Sequence, residues 1–436
     1  MTQVRQKINL VWFRNDLRVR DHLSLKTALE DQLPVVGFYC FQPRHFEMTQ
    51  YGFKKTEKFR AKFLLESVQN MKENLAKLNI SLIIKHQPLN KALEAICADF
   101  EVEHVFYQKE WTFEELHEEK ELEKTLPHAK FRPVYNQLLF HPEDIPFRNY
   151  SEIPEVYTQF RKSFEQHSRI RPEIPVPATQ TSYISIQNDV LPGLEDLGFE
   201  DFSTHPHSAF PFQGGEDAAW ERLNDYFWRT HKLQYYKKTR NGLLGTDYSS
   251  KLSAWLANGS ISPVSVYEQV KQFEQEIRKN DDTYWLIFEL IWRDYFKYVS
   301  LKHGDSIFLL GGIRKPGYEW HFSRKALEAW TQGRTPEPFV NANMREIAAT
   351  GYMSNRGRQN VCSFWSKEWK QDWRVGAAYF EAMLIDYDVH SNWGNWMYNS
   401  GVGNDPRDRK FNIQNQAQRY DPNGIYQQTW LQDSLF

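Results

Sequence analysis

From Asn355 to Trp396 the chain reads NRGRQNVCSFWSKEWKQDWRVGAAYFEAMLIDYDVHSNWGNW, a stretch that sets oxidisable indoles beside arginine, carboxylates and amides. Trp365, Trp369 and Trp373 recur at a spacing of four, which on a continuous helix would put them on one face. Such a stripe serves either as the apolar side of a packed helix or as a set of redox-active rings around a cofactor. The polar neighbours favour the second use. Arg358, Asp386, Asp388 and Asn392 lie in or beside an apolar segment, where unpaired charge is costly, so they require a ligand or one another.

Two further segments could do chemistry. In WLIFELIWRDYF, Trp285 to Phe296, Glu289 and Arg293 stand four apart with Trp292 beside them. In so apolar a helix the spacing implies a lined cavity, where the carboxylate holds a ligand amide or base edge and Trp292 stacks on a planar ring. The turn Gly245-Thr246-Asp247-Tyr248-Ser249-Ser250-Lys251-Leu252-Ser253 is rich in hydroxyls and opens a helix, which suits a pyrophosphate but equally suits an ordinary cap.

These segments need positioning. Apolar runs at Ile8 to Phe13, Val35 to Tyr39, Leu82 to Ile84, His104 to Tyr107 and Phe131 to Val134 read as buried parallel strands. Helical segments at Thr56 to Leu78 and Leu89 to Ala98 lie between them, so residues 1–135 form an α/β domain with a doubly wound parallel sheet. Ligands of such sheets sit at the carboxyl ends of the strands, where Glu110 falls at the head of the acidic segment Glu110 to Glu121; a solvated helix start is its plainer reading. No G-x-G-x-x-G or G-x-x-x-x-G-K-[ST] follows a strand, which argues against a standard nicotinamide-dinucleotide site or phosphate loop.

Prolines recur from Pro142 to Pro211 and periodicity fades, so residues 136–214 read as an interdomain connector with one helix near Val156 to His167. Residues 215–436 are an all-helical domain, with helices at Glu216 to Thr230, Tyr267 to Arg278, Tyr284 to Leu301, Ser323 to Gln332, Met344 to Thr350, Arg358 to Lys370 and Arg374 to Ile385.

A formal charge of −2 gives no global pull on a polyanion, so any nucleic-acid site must be local; the run holding Lys237, Lys238 and Arg240 is the candidate. Three cysteines without C-x-x-C spacing argue against a disulfide framework and a cysteine zinc site, and suit a reducing cytoplasm. His205 and His207 flank a proline without further ligands nearby and read as structural, so no metal is expected. Neither a leader segment nor a membrane span is expected. The 15 tryptophans are many for so polar a chain and call for a reason beyond packing.

Taken together, WFRNDLRVRDH, TDYSSKLS, FELIWRDYF, NRGRQN, DWRVGAAYFE, LIDYDVHSNWGNW and GVGNDPR resemble, in order and spacing, the motifs of the photolyase and cryptochrome flavoproteins over nearly the whole chain. The resemblance implies an antenna domain followed by a helical domain that binds FAD in a bent conformation. It assigns Tyr236, Ser249, Ser250, Leu252, Ser253 and Arg293 to the phosphates and ribityl chain. Asn355, Arg358, Asp386, Asp388 and Asn392 would surround the isoalloxazine, with Arg358 paired to Asp386 and Asn392 near N5. Trp396, Trp373 and Trp320 match the family's electron-transfer chain, outside which Trp365 and Trp369 fall. Glu289, Trp292, Asn355 and Arg356 match the pocket for a cyclobutane pyrimidine dimer, repaired by electron donation from the excited, reduced flavin. Glu110 matches the residue that contacts a methenyltetrahydrofolate antenna.

Gln359 and Tyr398 stand where duplex-repairing members carry methionine and a second tryptophan, and both resemble the DASH cryptochromes. A weaker stacking platform offsets less of the cost of flipping a lesion from duplex, so the expectation is repair of single-stranded DNA. RNA is a further candidate ligand, and a monomer is expected. The alternative is a blue-light photoreceptor that binds DNA or a partner and signals through flavin photoreduction. Signalling members often carry a long tail, and no low-complexity extension follows Trp430.

Overall fold

The computed structural model describes residues 5–186, 190–315 and 317–432. Five parallel strands, β1 (Gln6–Trp12), β2 (Val35–Phe41), β3 (Leu82–His86), β4 (Phe100–Gln108) and β5 (Lys130–Val134), form one sheet in the order β3-β2-β1-β4-β5. Helices α1 (Leu23–Leu29), α2 (Lys58–Ala76), α3 (Leu89–Asp99) and α4 (Phe113–Thr125) connect them. Both faces of the sheet are covered by apolar side chains, which is why the strands read as continuous apolar runs. The order reverses beside β1, which pairs with β2 on one side and β4 on the other. A crevice opens at such a switch point, outside the carboxyl ends of the strands.

The connector is not a loose tether. It carries α5 (Tyr157–His167), and Leu138, Leu139, Phe140, Ile153, Phe160 and Phe164 are buried in the core of the helical domain. Farther on, Ile184 and Leu197 pack on the two faces of the sheet. The fully buried Asp294 accepts hydrogen bonds from the backbone N–H groups of Leu139 (3.0 Å) and Phe140 (2.8 Å), fixing where the connector enters.

The helical domain comprises α6 (Glu216–Asn224), α7 (Tyr236–Thr239), α8 (Ser253–Ala257), α9 (Pro263–Glu276), α10 (Asp281–His303), α11 (Arg324–Thr331) and α12 (Pro338–Thr350). Then follow α13 (Asn355–Ser363), α14 (Trp373–Met383), α15 (Val389–Ser400), α16 (Ile413–Tyr420) and α17 (Ile425–Leu431). The long α10 starts in a capping box, Asn280 with Thr283, and carries Glu289, Trp292, Arg293 and Lys297 through the centre. The two domains meet closely behind β1. Gly259 has φ +73°, and a Cβ there would lie 2.1 Å from the Asn15 carbonyl oxygen, so only glycine permits the approach. Beside it the buried Arg18 donates to the carbonyls of Gly259, Asp21 and Asn136.

The proposed tryptophan stripe does not form. Helix α13 ends at Ser363, the chain widens into a π-helical turn at Phe364–Glu368, and Lys370 adopts φ +51° before α14 begins at Trp373. The three indoles therefore face different neighbours: Trp365 meets Trp330 (4.9 Å), Trp369 meets Phe364 (4.7 Å) and Trp373 meets Trp393 (5.7 Å). No helix among the described residues is long and apolar enough to cross a membrane.

Candidate functional site

At the switch point lies a cavity of about 510 Å³, walled by the segments after β1 and β4 and by α10 and the start of α15. Glu110 is buried in its wall, 2% exposed. Gln108 donates to its Oε1 (2.9 Å) and Gln137 to its Oε2 (3.1 Å). Glu115, lining the same cavity, is pushed up to about 7 by burial and by the nearby charge of Glu110. Across from them Lys297 donates to Gln137 Oε1 (2.7 Å) and Asp388 Oδ2 (3.1 Å). Burial opposes the charge of Asp388, but Lys297 with its cationic neighbours outweighs it and holds the carboxyl far below its usual range. His390 stacks on Trp111 (4.7 Å), with Nδ1 at 2.7 Å from Ser300 Oγ. Burial, reinforced by Lys297, keeps its ring neutral, and its Nε2 has no protein partner.

A smaller cleft of about 70 Å³ adjoins this cavity, and Tyr387 and Asp388 line both. Its walls bring together Asn355, Arg358, Gln359, Asp386, Asn392 and Trp396. One guanidinium nitrogen of Arg358 lies 2.9 Å from both oxygens of the buried Asp386. Burial works against the Arg358 charge, yet Asp386 holds its pKa above the ordinary arginine value. Asp388 caps α15 by accepting from the Ser391 N–H (2.7 Å), which aims Asn392 and Trp396 from successive turns. Asn392 commits its amide nitrogen to the Ala377 carbonyl (3.0 Å), so its oxygen is the atom left for the cleft. Trp396 is set by Gly376, where a Cβ would fall 2.2 Å from the indole.

Glu289 and Arg293 are not partners, although one helix carries both. Arg240 reaches Glu289 Oε1 at 2.6 Å, whereas Arg293 donates to the carbonyls of Gln137 (2.5 Å) and Leu256 (3.0 Å) and lines the larger cavity. Equal spacing told which groups could meet; closer competitors from other elements decided. Burial raises the Glu289 carboxyl despite Arg240. Trp292 lies flat on Tyr157 of the connector, centroids 3.6 Å apart at 9°, and meets Tyr398 edge-on at 5.8 Å. Arg356 bonds Gln359 (2.9 Å) and covers the Tyr420 ring (4.5 Å).

The hydroxyl-rich turn departs from expectation in one respect. The helix it opens, α8, spans five residues, too short for a substantial N-terminal dipole. Ser250, Leu252 and Tyr236 are buried, Ser249 is half-buried and Ser253 is exposed, and none of these residues lines either cavity. Arg222 braces the turn from behind through the carbonyls of Thr246, Ser249 and Ser250. Lys237 sits over Trp285 (4.4 Å) and Lys238 donates its backbone N–H to Asp282. Trp373 donates to the Leu310 carbonyl, and Trp320 is half-buried against Tyr318. His205 and His207 flank Trp430 (5.1 and 6.3 Å), and no group of three metal-ligating side chains occurs among the described residues.

Sequence reasoning missed Gln137, Tyr157, Lys297 and His390. Lys297 follows Arg293 by four in the same apolar helix and could have been found by the rule that singled out Glu289. Gln137 and Tyr157 lie in the proline-rich connector, where nothing in residue type marks them.

Residues 285–434 match the family model described as the FAD binding domain of DNA photolyase, and residues 9–179 match the model described as DNA photolyase. A cryptochrome DASH of Gloeobacter violaceus is 47% identical over 98% of this chain and 85% of its own length. One from Xenopus laevis is 44% identical over 98% of this chain and 83% of its own. The tomato relative, 41% identical over 97% of this chain and 77% of its own, is named as chloroplastic/mitochondrial. Among solved structures, a Synechocystis cryptochrome superposes with a TM-score of 0.94 at 44% identity, over 99% of this chain and 89% of that one. Coverage, identity and fold agree: the chain belongs to the cryptochrome DASH branch of the photolyase and cryptochrome family.

Proposed function

We propose that this protein binds FAD in the helical domain, with the flavin ring at the cleft, and uses blue light to repair cyclobutane pyrimidine dimers, with single-stranded DNA as the preferred substrate. The observation that carries the reading is the cleft's donor set, in which the Arg358–Asp386 ion pair, the Asn392 amide and Trp396 converge. The buried Trp396 Nε1, in the cleft wall, has no protein partner, as fits a site shaped for a polar ligand. When bound, FAD would supply the light absorption and the electron that splits the dimer.

The chain's own residues do the rest. Arg358, pinned by Asp386, would present fixed positive charge to the flavin ring, and Asn392 its amide oxygen. Asn355 stands at the cleft's mouth, and Asp388 would orient the cofactor. The Ser249, Ser250, Leu252 and Ser253 turn with Tyr236 and Arg293 would receive the phosphates. Trp396, Trp373 and Trp320 would relay an electron inward from the surface. A methenyltetrahydrofolate antenna is assigned to the larger cavity beside Glu110. The protein is proposed to act as a monomer in the cytoplasm, a compartment that its three free cysteines suit.

At the substrate face, Glu289 would bond the edge of the flipped pyrimidine while Arg240 and Arg356 meet flanking phosphates. Replacing Glu289 by Gln should lower dimers repaired per absorbed photon about tenfold, the worth of one hydrogen bond to a charged group, while flavin content stays unchanged. An unchanged yield would remove Glu289 from the reaction.

With one face of Trp292 covered by Tyr157 and Tyr398 turned edge-on, little ring surface remains to offset flipping, which costs a few kcal/mol from duplex. Tyr398→Trp should therefore improve duplex repair several-fold, since an added aromatic contact is worth about 1 kcal/mol. If duplex repair stays as it was, stacking is not what limits it.

A further inference from the structure

An unbroken hydrogen-bonded chain runs between the two cavities, and its centre is Gln137, the second residue after the expected end of the α/β domain. Its Nε2 donates to the Lys109 carbonyl (2.9 Å) and Glu110 Oε2 (3.1 Å), both beyond the end of β4. Its Oε1 accepts from Lys297 Nζ (2.7 Å) on α10. Lys297 in turn donates to Asp388 (3.1 Å), the cap of the helix that carries Asn392 and Trp396. The Gln137 backbone carbonyl takes Arg293 (2.5 Å). Gln137 is 4% exposed and Lys297 2%, so water does not offer competing partners.

We propose that Gln137 is a positioning residue that couples the strand-end cavity to the flavin cleft. The physical device is the polarity of one amide. Its NH₂ end cannot face a cation, and its oxygen cannot face a carboxylate. The charge on Glu110 therefore helps hold the oxygen toward Lys297, which places the ammonium between Gln137 and Asp388. Weakening that hold lets Lys297 shift fully onto Asp388, and the start of α15, which carries Asn392 and Trp396, moves with it. A ligand that engages Glu110 thus acts on Asn392 and Trp396 through the chain, and the same free energy is returned in the opposite direction.

This inference rests on the cleft being the FAD site, and a double-substitution cycle separates the two claims. The quantity is the FAD dissociation constant of the full chain, read from recovery of flavin fluorescence on diluting the holoprotein. Glu110→Gln should weaken FAD about threefold or more when Gln137 is present, and hardly at all in a Gln137→Met background, because contacting groups that act through one another are not additive. Should Gln137→Met fail to fold, Gln137→Glu serves as the second variant: it keeps an acceptor for Lys297, loses the donor to Glu110, and is expected to abolish the coupling too. Equal factors in both backgrounds, or no effect of Glu110→Gln, would overturn the coupling alone. A wild-type chain that takes up no FAD would overturn the flavin reading and the coupling with it.

Discussion

Replacing Asp386 by Asn should strip the protein of bound flavin and lower its stability, the largest single effect expected from the cleft. Asp386 is 3% exposed at its side chain, and its carboxylate is the only one in ion-pair contact with the Arg358 guanidinium among the described residues. Without that charge, Arg358 is left with neutral acceptors, the Met353 carbonyl (2.9 Å) and the new amide oxygen. Removing one member of a fully buried pair costs about 3–5 kcal/mol. The Arg358 side chain is 24% exposed, so water recovers part of this and about 2–3 kcal/mol is the better expectation. That corresponds to a loss of roughly 30- to 140-fold if it falls on FAD affinity. The measurement is the flavin-to-protein absorbance ratio after gel filtration, together with the urea midpoint. Full flavin retention at unchanged stability would show that the ion pair does not hold the cleft.

The second large effect concerns stability and pH. Glu346 of α12 is buried at 1% exposure, accepts from the Tyr426 hydroxyl at 2.6 Å, and leaves its other oxygen unpartnered. Burial raises it from 4.5 to about 7, against the opposing pull of the Tyr426 bond, Lys251 and Arg358. The folded chain thus holds this proton more tightly than the unfolded chain does. Stability from this group is complete below about pH 4.5 and is lost as pH rises through 7, by about 3 kcal/mol in all. Glu346→Gln cannot ionise and escapes the loss, but its NH₂ takes the place of the unpartnered oxygen at a cost of about 1 kcal/mol. At pH 8 the variant should be more stable than the parent by about 2 kcal/mol, and at pH 4.5 slightly less stable. Urea unfolding at the two pH values decides. A parallel pH dependence in both proteins would mean that Glu346 is already ionised without penalty.

The sheet was legible because its strands are buried on both faces, so Ile8 to Phe13 and Val35 to Tyr39 show as apolar runs without alternation. Helix α10 was equally plain, its apolar length bounded by the Asn280 cap. The Trp365, Trp369 and Trp373 stripe failed because a spacing of four means one face only while the helix persists, and the π turn and Lys370 interrupt it. Of Glu289 and Arg293, whose spacing implied a lined cavity, Arg293 lines the larger one, while Arg240 from a distant segment takes the Glu289 carboxylate. The connector's role was hidden by its prolines, which mark irregular backbone and say nothing of the buried Phe160 and Phe164 between them. Arg358 with Asp386 was anticipated through family resemblance, and the geometry brings them together. No spacing rule relates residues 28 apart.

The measurement that bears most directly on the proposed function is light-dependent repair of one cyclobutane thymine dimer by the purified, reduced protein, with the same oligonucleotide presented single-stranded and then annealed to its complement. The expected result is repair largely confined to the single strand. Equal repair of both forms, or repair of neither by protein that holds FAD and photoreduces it, would contradict it.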